Sequence, residues 1–287
     1  MFTDEPITPT RVETLLGLLR GSRREFDRAT LLRVFQPEGL PGVKAGSARL
    51  QAVQTLRAAV ELDLVKEDEE RGTLCLLFER DDPRSTRRVL LDALDRRVLD
   101  TDEVEPYFAP FYAYLLGLDH EGVSERSNDD WAIRFEKHLY GGRADSNPFN
   151  KDKLTGLHRW FAYTGVGWYD SAGTFQPNPC ERIGRRLPAL FAGERRLAGD
   201  EFVARLGECC PELDGGALFA RVHPQRGDTA RTLTLGVSHA LFDLHGDGRL
   251  RLHCAHDSRG WSIGAADPSP DGETVFSDRI DSVEMLP

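Results

Sequence analysis

The feature that most constrains this chain is a change of hydrophobic period near residue 62. Before it, apolar residues recur at helical spacing in three runs. The first holds Val12, Leu15, Leu16, Leu18 and Leu19; Thr8-Pro9-Thr10 opens it and Gly21-Ser22 ends it. The second, capped by Asp27, holds Ala29, Leu31, Leu32, Val34 and Phe35. The third follows a loop rich in proline and glycine; it starts at Ser47 and carries Leu50, Val53, Leu56 and Val60. From Leu62 the period is two. Leu62, Leu64 and Val65 lead into Lys66-Glu67-Asp68, a turn at 69–72 and a strand over 73–78. Three helices closed by a hairpin predict a winged helix, a variant of helix-turn-helix. The bend after the third helix needs left-handed backbone. Asp63 stands where glycine is commonest, and aspartate is one of the few residues that tolerate it.

The middle of the chain reads as helical. A helix over 84–99 buries Val89, Leu90, Leu91, Leu94 and Val98. The stretch 106–118 is rich in aromatics (Tyr107, Phe108, Phe111, Tyr112, Tyr114) and predicts a buried helix. Polar residues 120–130 read as a loop. Helices over 130–140 and 151–165 carry Trp131, Ile133 and Phe135, then Leu154, Leu157, Trp160 and Phe161.

The C-terminal part repeats the first plan loosely. Helices are expected over 179–191, 198–210 and 229–244, a short strand over 218–222, and wing strands over 250–254 and 261–263 paired with each other. The fold class is therefore α+β, mainly helical, in three domains: a winged helix over 1–80, a helical middle domain over 81–168 and a winged-helix-like domain over 169–287.

Charge narrows the function classes. The net charge is −10. Residues 81–150 hold 15 acids against 9 bases (net −6), and residues 213–287 hold 11 against 7 (net −4). A protein that lived by phosphate contacts alone would be basic, so any DNA contact is local. No apolar run approaches the roughly 18 residues of a membrane span, and residues 1–10 lack the pattern of a signal peptide. Five cysteines, an odd number without a C-x-x-C, read as free thiols in a reducing cytoplasm rather than a disulfide framework or zinc site. No phosphate-binding glycine loop, nucleophile elbow or H-E-x-x-H is present, so no enzyme, cofactor or metal is expected. His253-Cys254-Ala255-His256-Asp257 holds ligand types in a row, but neighbours on a strand face opposite ways. Trp131, Trp160, Trp168 and Trp261 are expected in the core.

The DNA-binding candidates fall in two sets. On the third helix, Ser47, Gln51 and Thr55 lie opposite the Val53–Leu56–Val60 stripe, Arg49 and Arg57 flank the apolar side, and Gln54 joins the set. The Glu67-Asp68-Glu69-Glu70 wing opposes a phosphate backbone, which favours protein contact by this module. In the C-terminal module, Arg226, Thr229, Arg231, Thr232, Arg249 and Arg251 form a more plausible phosphate-facing set. The groups Arg84–Arg87–Arg88, Arg182–Arg185–Arg186 and Arg195–Arg196 read first as helix faces paired with nearby acids.

Four further stretches carry a resemblance: 150–168, ending Arg-Trp-Phe-Ala-Tyr-Thr-Gly-Val-Gly-Trp; Pro177-Asn178-Pro179; Leu213-Asp214-Gly215-Gly216; and 233–241. Through them the chain resembles the DpdG-like accessory proteins of bacterial anti-phage clusters. That resemblance implies a cytoplasmic subunit working beside helicase-like or nuclease-like defence proteins on foreign DNA. The expectation is a non-enzymatic adaptor that engages double-stranded DNA, protein or both. Two alternatives stay open: a dimeric winged-helix transcription regulator, and a tandem winged-helix subunit of an SMC-type complex.

Overall fold

The computed structural model describes residues 7–22, 24–37, 47–68, 70–101, 104–118, 128–141, 149–171, 173–226, 231–254, 260–263 and 279–287. Residues 1–105 and 150–160 form one unit, and residues 106–149 and 161–287 form the other. The stretch 81–168 is thus divided between the two.

In the first unit, helix α1 (Pro9–Gly21) begins where the Thr8 side chain accepts from the Arg11 amide. A short strand β1 (Phe26–Asp27) follows, and Asp27 caps α2 (Arg28–Phe35) by accepting from the Thr30 amide at 2.8 Å. Helix α3 spans Ser47–Glu61. Asp63 has a φ of 54° and turns the chain from α3 into β2 (Val65–Asp68), the left-handed bend its position requires. The antiparallel sheet has the order β1-β3-β2, with β3 at Thr73–Leu76 and Val65 opposite Leu76. Val12, Leu15, Leu16, Leu31, Ala52, Leu56 and Leu62 are fully enclosed. Each such leucine or valine stabilises the unit by about 1.5–3 kcal/mol relative to exposure. Arg20 donates from Nε to the Arg80 carbonyl at 2.9 Å and from Nη1 to the Arg84 carbonyl at 2.8 Å, fixing the chain beyond β3 to α1. Helix α4 (Thr86–Leu94), capped by Ser85, runs on into a π-helical turn over Asp95–Leu99.

The second unit is built around α5 (Phe108–Leu116), in which every residue is buried. Phe111 meets Phe135 of α6 (Asn128–Tyr140) edge to face at 4.9 Å, and Phe108 meets Phe161 at 4.7 Å. Phe161 lies on α7 (Lys151–Thr164), which starts in the first unit and ends in the second. A hairpin of β4 (Gly167–Tyr169) and β5 (Phe175–Pro177) follows. Next come α8 (Cys180–Phe191), β6 (Arg196–Ala198), α9 (Gly199–Cys209), α10 (Ala217–Val222) and α11 (Leu235–Gly246). Strands β7 (Leu250–Cys254), β8 (Trp261–Ser262) and β9 (Arg279–Met285) complete the unit. The sheet order is β6-β9-β7.

One plan therefore occurs twice. Helix, strand, helix, helix, strand, strand, with the first strand hydrogen-bonded beside the last, describes both β1-β3-β2 and β6-β9-β7. In the second unit α10 and β8 are additions to it.

Three sequence expectations are corrected here. Residues 218–222 are helical, not a strand: Leu218, Phe219 and Val222 are the buried ones, a helical spacing that a five-residue run leaves ambiguous. The helix expected from 229 begins at Leu235. The residues just before it are held extended, the Leu233 amide donating to the Ser262 carbonyl at 2.9 Å. Strands β7 and β8 do not pair with each other. Both pair with β9, where Ile280 faces Cys254 on one side and Trp261 on the other.

Candidate functional site

The outward face of α3 mixes apolar and polar side chains. Leu50 is 56% exposed and Val60 41% exposed, with half-buried Val53 and Gln54 and exposed Arg57 on the same arc of the helix. The inward face is Ala52, Thr55, Leu56, Ala58 and Ala59. Thr55 is thus fully buried and donates its hydroxyl to the Gln51 carbonyl at 2.8 Å, so it cannot read a base as the sequence suggested. The face is rotated because alanines, which need little space, pack against α1. Gln51 is half-buried, and the Gln36 side-chain amide donates to its side-chain oxygen at 3.4 Å. Arg57 pairs with Glu61 at 2.7 Å. The side chains of Ser47 and Arg49 lie outside the described residues. Of the acidic turn, Glu67 pairs with Arg28 at 3.5 Å.

The three arginine groups are held by acids and carbonyls. Arg84 bonds Asp82 and Asp92, which holds the Asp82 carboxyl down at about 2, and Arg88 bonds Asp92 at 2.9 Å. Arg182 is wholly buried against Glu212; Arg185 donates to the Thr164 carbonyl at 2.8 Å. Arg195 pairs with Glu284 at 2.9 Å, and Arg196 donates to the Ser282 hydroxyl.

Helix α11, which the sequence offered as a second recognition helix, is enclosed on most of its surface. Gly236, Val237, Ser238, Ala240, Leu241 and Leu244 are buried, and Ser238 donates to the Thr234 carbonyl at 2.8 Å. A Cβ on Gly236 would meet the Pro177 carbonyl oxygen at 2.8 Å and Leu116 at 2.6 Å, so β5 and α5 cover that face. Arg249 lies over Gly184 of α8, and Arg251 stands opposite Glu284 across β9. Thr229 lies outside the described residues.

Arg226, Arg231 and Thr232 instead come together at a cleft of about 270 Å³. Its wall is the turn after α9 together with α10: Asp214, Gly215, Gly216, Phe219 and His223. Trp261 of β8 also lines it. Arg231 has a φ of 42°, a left-handed conformation that a long side chain adopts only when its surroundings hold it. Its carbonyl accepts from the Ser262 amide at 2.8 Å, and its guanidinium pairs with Asp200 at 3.1 Å. The other oxygen of Asp200 accepts from the Trp261 indole at 2.9 Å, so one carboxylate aligns both groups. Asp214 is buried. One of its oxygens accepts from the Thr234 amide at 3.1 Å and the Thr234 hydroxyl at 2.6 Å, at the start of α11. Burial pushes its carboxyl up to about 6 against the pull of these bonds and of Arg226. His223 donates from Nε2 to the Ala113 carbonyl at 3.0 Å, and burial lowers its basicity.

Sequence reasoning missed Asp214, His223 and Trp261 as members of one site. In the sequence, Leu213-Asp214-Gly215-Gly216 carries only the family resemblance. Trp261 was expected in the core but is half-buried at the cleft, and Trp168 is 49% exposed; Trp131 and Trp160 are core. Cys210 is buried, while Cys75, Cys180 and Cys209 are half-buried. Among the described residues, no three histidine, cysteine or acidic side chains gather as a metal would need, and no helix is long and apolar enough to cross a membrane. His253 pairs with Glu284 at 3.1 Å.

Fold and site together define a mainly helical α+β protein whose two units carry the same strand order, one with a cleft of arginines and an aromatic ring. The chain belongs to the DpdG-like family, whose model matches residues 2–258. No curated protein and no solved structure matches it.

Proposed function

We propose that this protein is a non-enzymatic adaptor subunit of a bacterial anti-phage defence system, cytoplasmic, with two winged-helix modules put to different uses. Membership of the DpdG-like family, tied to defence and modification clusters, supports the setting. The repeated helix and strand order, with the first strand beside the last in each sheet, supports the winged-helix assignment.

The observation that carries the division of labour is the contrast between the two third helices. Helix α3 exposes Leu50 and Val60, with Val53 half-buried, and the strand after it runs into an acidic turn. That surface suits a protein partner with apolar and basic groups, such as a helicase-like or nuclease-like defence protein. Helix α11 is enclosed, so the second module touches DNA through Arg226, Arg231 and Thr232 at the cleft, not through a helix in the major groove. The exposed stripe on α3 equally favours the alternative of a tandem winged-helix subunit gripping a segment of an SMC-type complex.

Fluorescence anisotropy with a labelled duplex of about 30 base pairs, at low and then moderate salt, tests the DNA contact. Binding that weakens steeply with salt and drops in Arg231→Gln supports the reading. Binding lost instead in Gln51→Ala with Arg57→Gln would return DNA contact to α3 and overturn the division. Co-purification of the proteins encoded alongside, with and without Leu50→Glu, tests the protein contact.

A further inference from the structure

Resting on the reading that the second unit touches DNA, we infer that its cleft holds a single unpaired nucleotide, with the phosphate at Arg226 and Arg231 and the base between Phe219 and Trp261. The cleft of about 270 Å³ is near the lower end of ligand sites, so it encloses one nucleotide, while a duplex meets only its exposed arginines.

Its chemistry is mixed in the way a nucleotide requires. Arg226 and Arg231 line it, as do the Trp261 indole, Phe219 and Ala220. Two carboxylates, Asp200 and Asp214, balance the arginines, so an inorganic anion gains little there. A nucleotide satisfies both signs: its phosphate takes the arginines and a donor edge of its base faces the Asp214 carboxyl. The Arg231–Asp200 pair it must compete with is half-exposed and therefore weak, while an arginine fork on a phosphate is bidentate. Arg231 combines its left-handed backbone with a guanidinium paired to Asp200 and lining the cleft. Indole stacking on a base is tolerant of sequence, so the site takes strand ends or unpaired bases broadly.

The test uses the full chain and a fluorescein-labelled oligo(dT) of about 12 nucleotides, a length that suits single-strand sites and forms no internal pairs. Arg226→Gln and Arg231→Gln are each expected to weaken binding by about tenfold, with Arg134→Gln, at an exposed position of α6, as an unaffected control. Saturation is also expected to quench tryptophan emission in the wild type and not in Trp261→Phe, a substitution that keeps an aromatic ring in place. Competition by a free nucleoside 5′-monophosphate would make the ligand a free nucleotide; no competition would make it an unpaired nucleotide of a strand. Oligo(dT) binding that ignores both arginine variants, or quenching that survives Trp261→Phe, overturns the inference. If the 30-base-pair duplex still binds in that case, only the cleft assignment falls; if neither probe binds, the DNA contact falls with it.

Discussion

Arg182 and Glu212 meet with both side chains wholly buried, the Arg182 Nε donating to Glu212 Oε1 at 2.9 Å. Arg182 lies on α8 and Glu212 in the turn after α9, so the pair ties the helix to the segment that shapes the cleft. Arg182 also reaches the Cys209 carbonyl at 3.4 Å. Burial, and after it the Glu212 charge, pushes the hydroxyl of enclosed Tyr112 far from ionisation. A buried pair adds little net stability, but removing one partner strands the other charge. Arg182→Met or Glu212→Leu alone is therefore expected to cost about 3–5 kcal/mol in urea denaturation, and the double variant much less. Additive losses would show that the two groups do not interact as placed.

Asp214 sets a dependence on pH. Its carboxyl is raised from the ordinary 3.8 to about 6, chiefly by burial. Below pH 4 it is protonated whether folded or unfolded, and it costs nothing. Between 4 and 6 the unfolded chain ionises freely while the folded chain resists, so stability falls as pH rises. Above 6 the full penalty, about 3 kcal/mol, is present. Asp214→Asn keeps an oxygen for the two Thr234 donors and removes the charge. Thermal melts from pH 4 to 7 are expected to show the wild type losing about 3 kcal/mol relative to this variant. Parallel pH profiles for the two proteins would show that Asp214 titrates normally.

The N-terminal elements were legible in the sequence because their cues are local. Thr8 and Asp27 cap the helices they precede, and Asp63 takes the left-handed bend its place before a strand demanded. The C-terminal sheet was not, because its central strand β9 lies beyond β8 in sequence and pairs with strands as distant as β6, over 80 residues earlier. The cleft hid for the same reason. Asp214, Arg231 and Trp261 are separated in sequence, and the extended stretch 231–234, bonded to Ser262 and to Asp214, with Asp200 between Arg231 and Trp261, brings them together. The outward face of α3 was misjudged because alanines count weakly in an apolar stripe, although Ala52, Ala58 and Ala59 are the ones that pack.

Gly207 holds the turn that walls the cleft. A Cβ there would lie 2.3 Å from the backbone of Gly215, and Gly215 itself has a φ of 81°. Backbone on both sides leaves no flexible side chain to move aside. Gly207→Ala is expected to destabilise the protein by about 1–3 kcal/mol. Gly246→Ala, at a glycine with open space around it, is expected to change stability by at most about 1 kcal/mol. Chemical denaturation of the two variants checks the contrast, and equal stability would mean that α9 and the turn are not in contact.

The opposite faces of α3 are expected to respond oppositely to substitution. Leu56 is fully enclosed, so Leu56→Ala leaves a cavity and costs about 2–5 kcal/mol. Leu50 is 56% exposed, so Leu50→Glu has little to lose in the folded chain and is expected to shift stability by no more than about 0.5 kcal/mol. If α3 is the protein-binding face, the same Leu50→Glu, with Val60→Lys as a second variant of opposite charge, weakens capture of the partner while the melting temperature stays put. Unchanged capture in both would assign the partner to another surface. A large loss of stability in Leu50→Glu would show instead that this face is already covered within the chain.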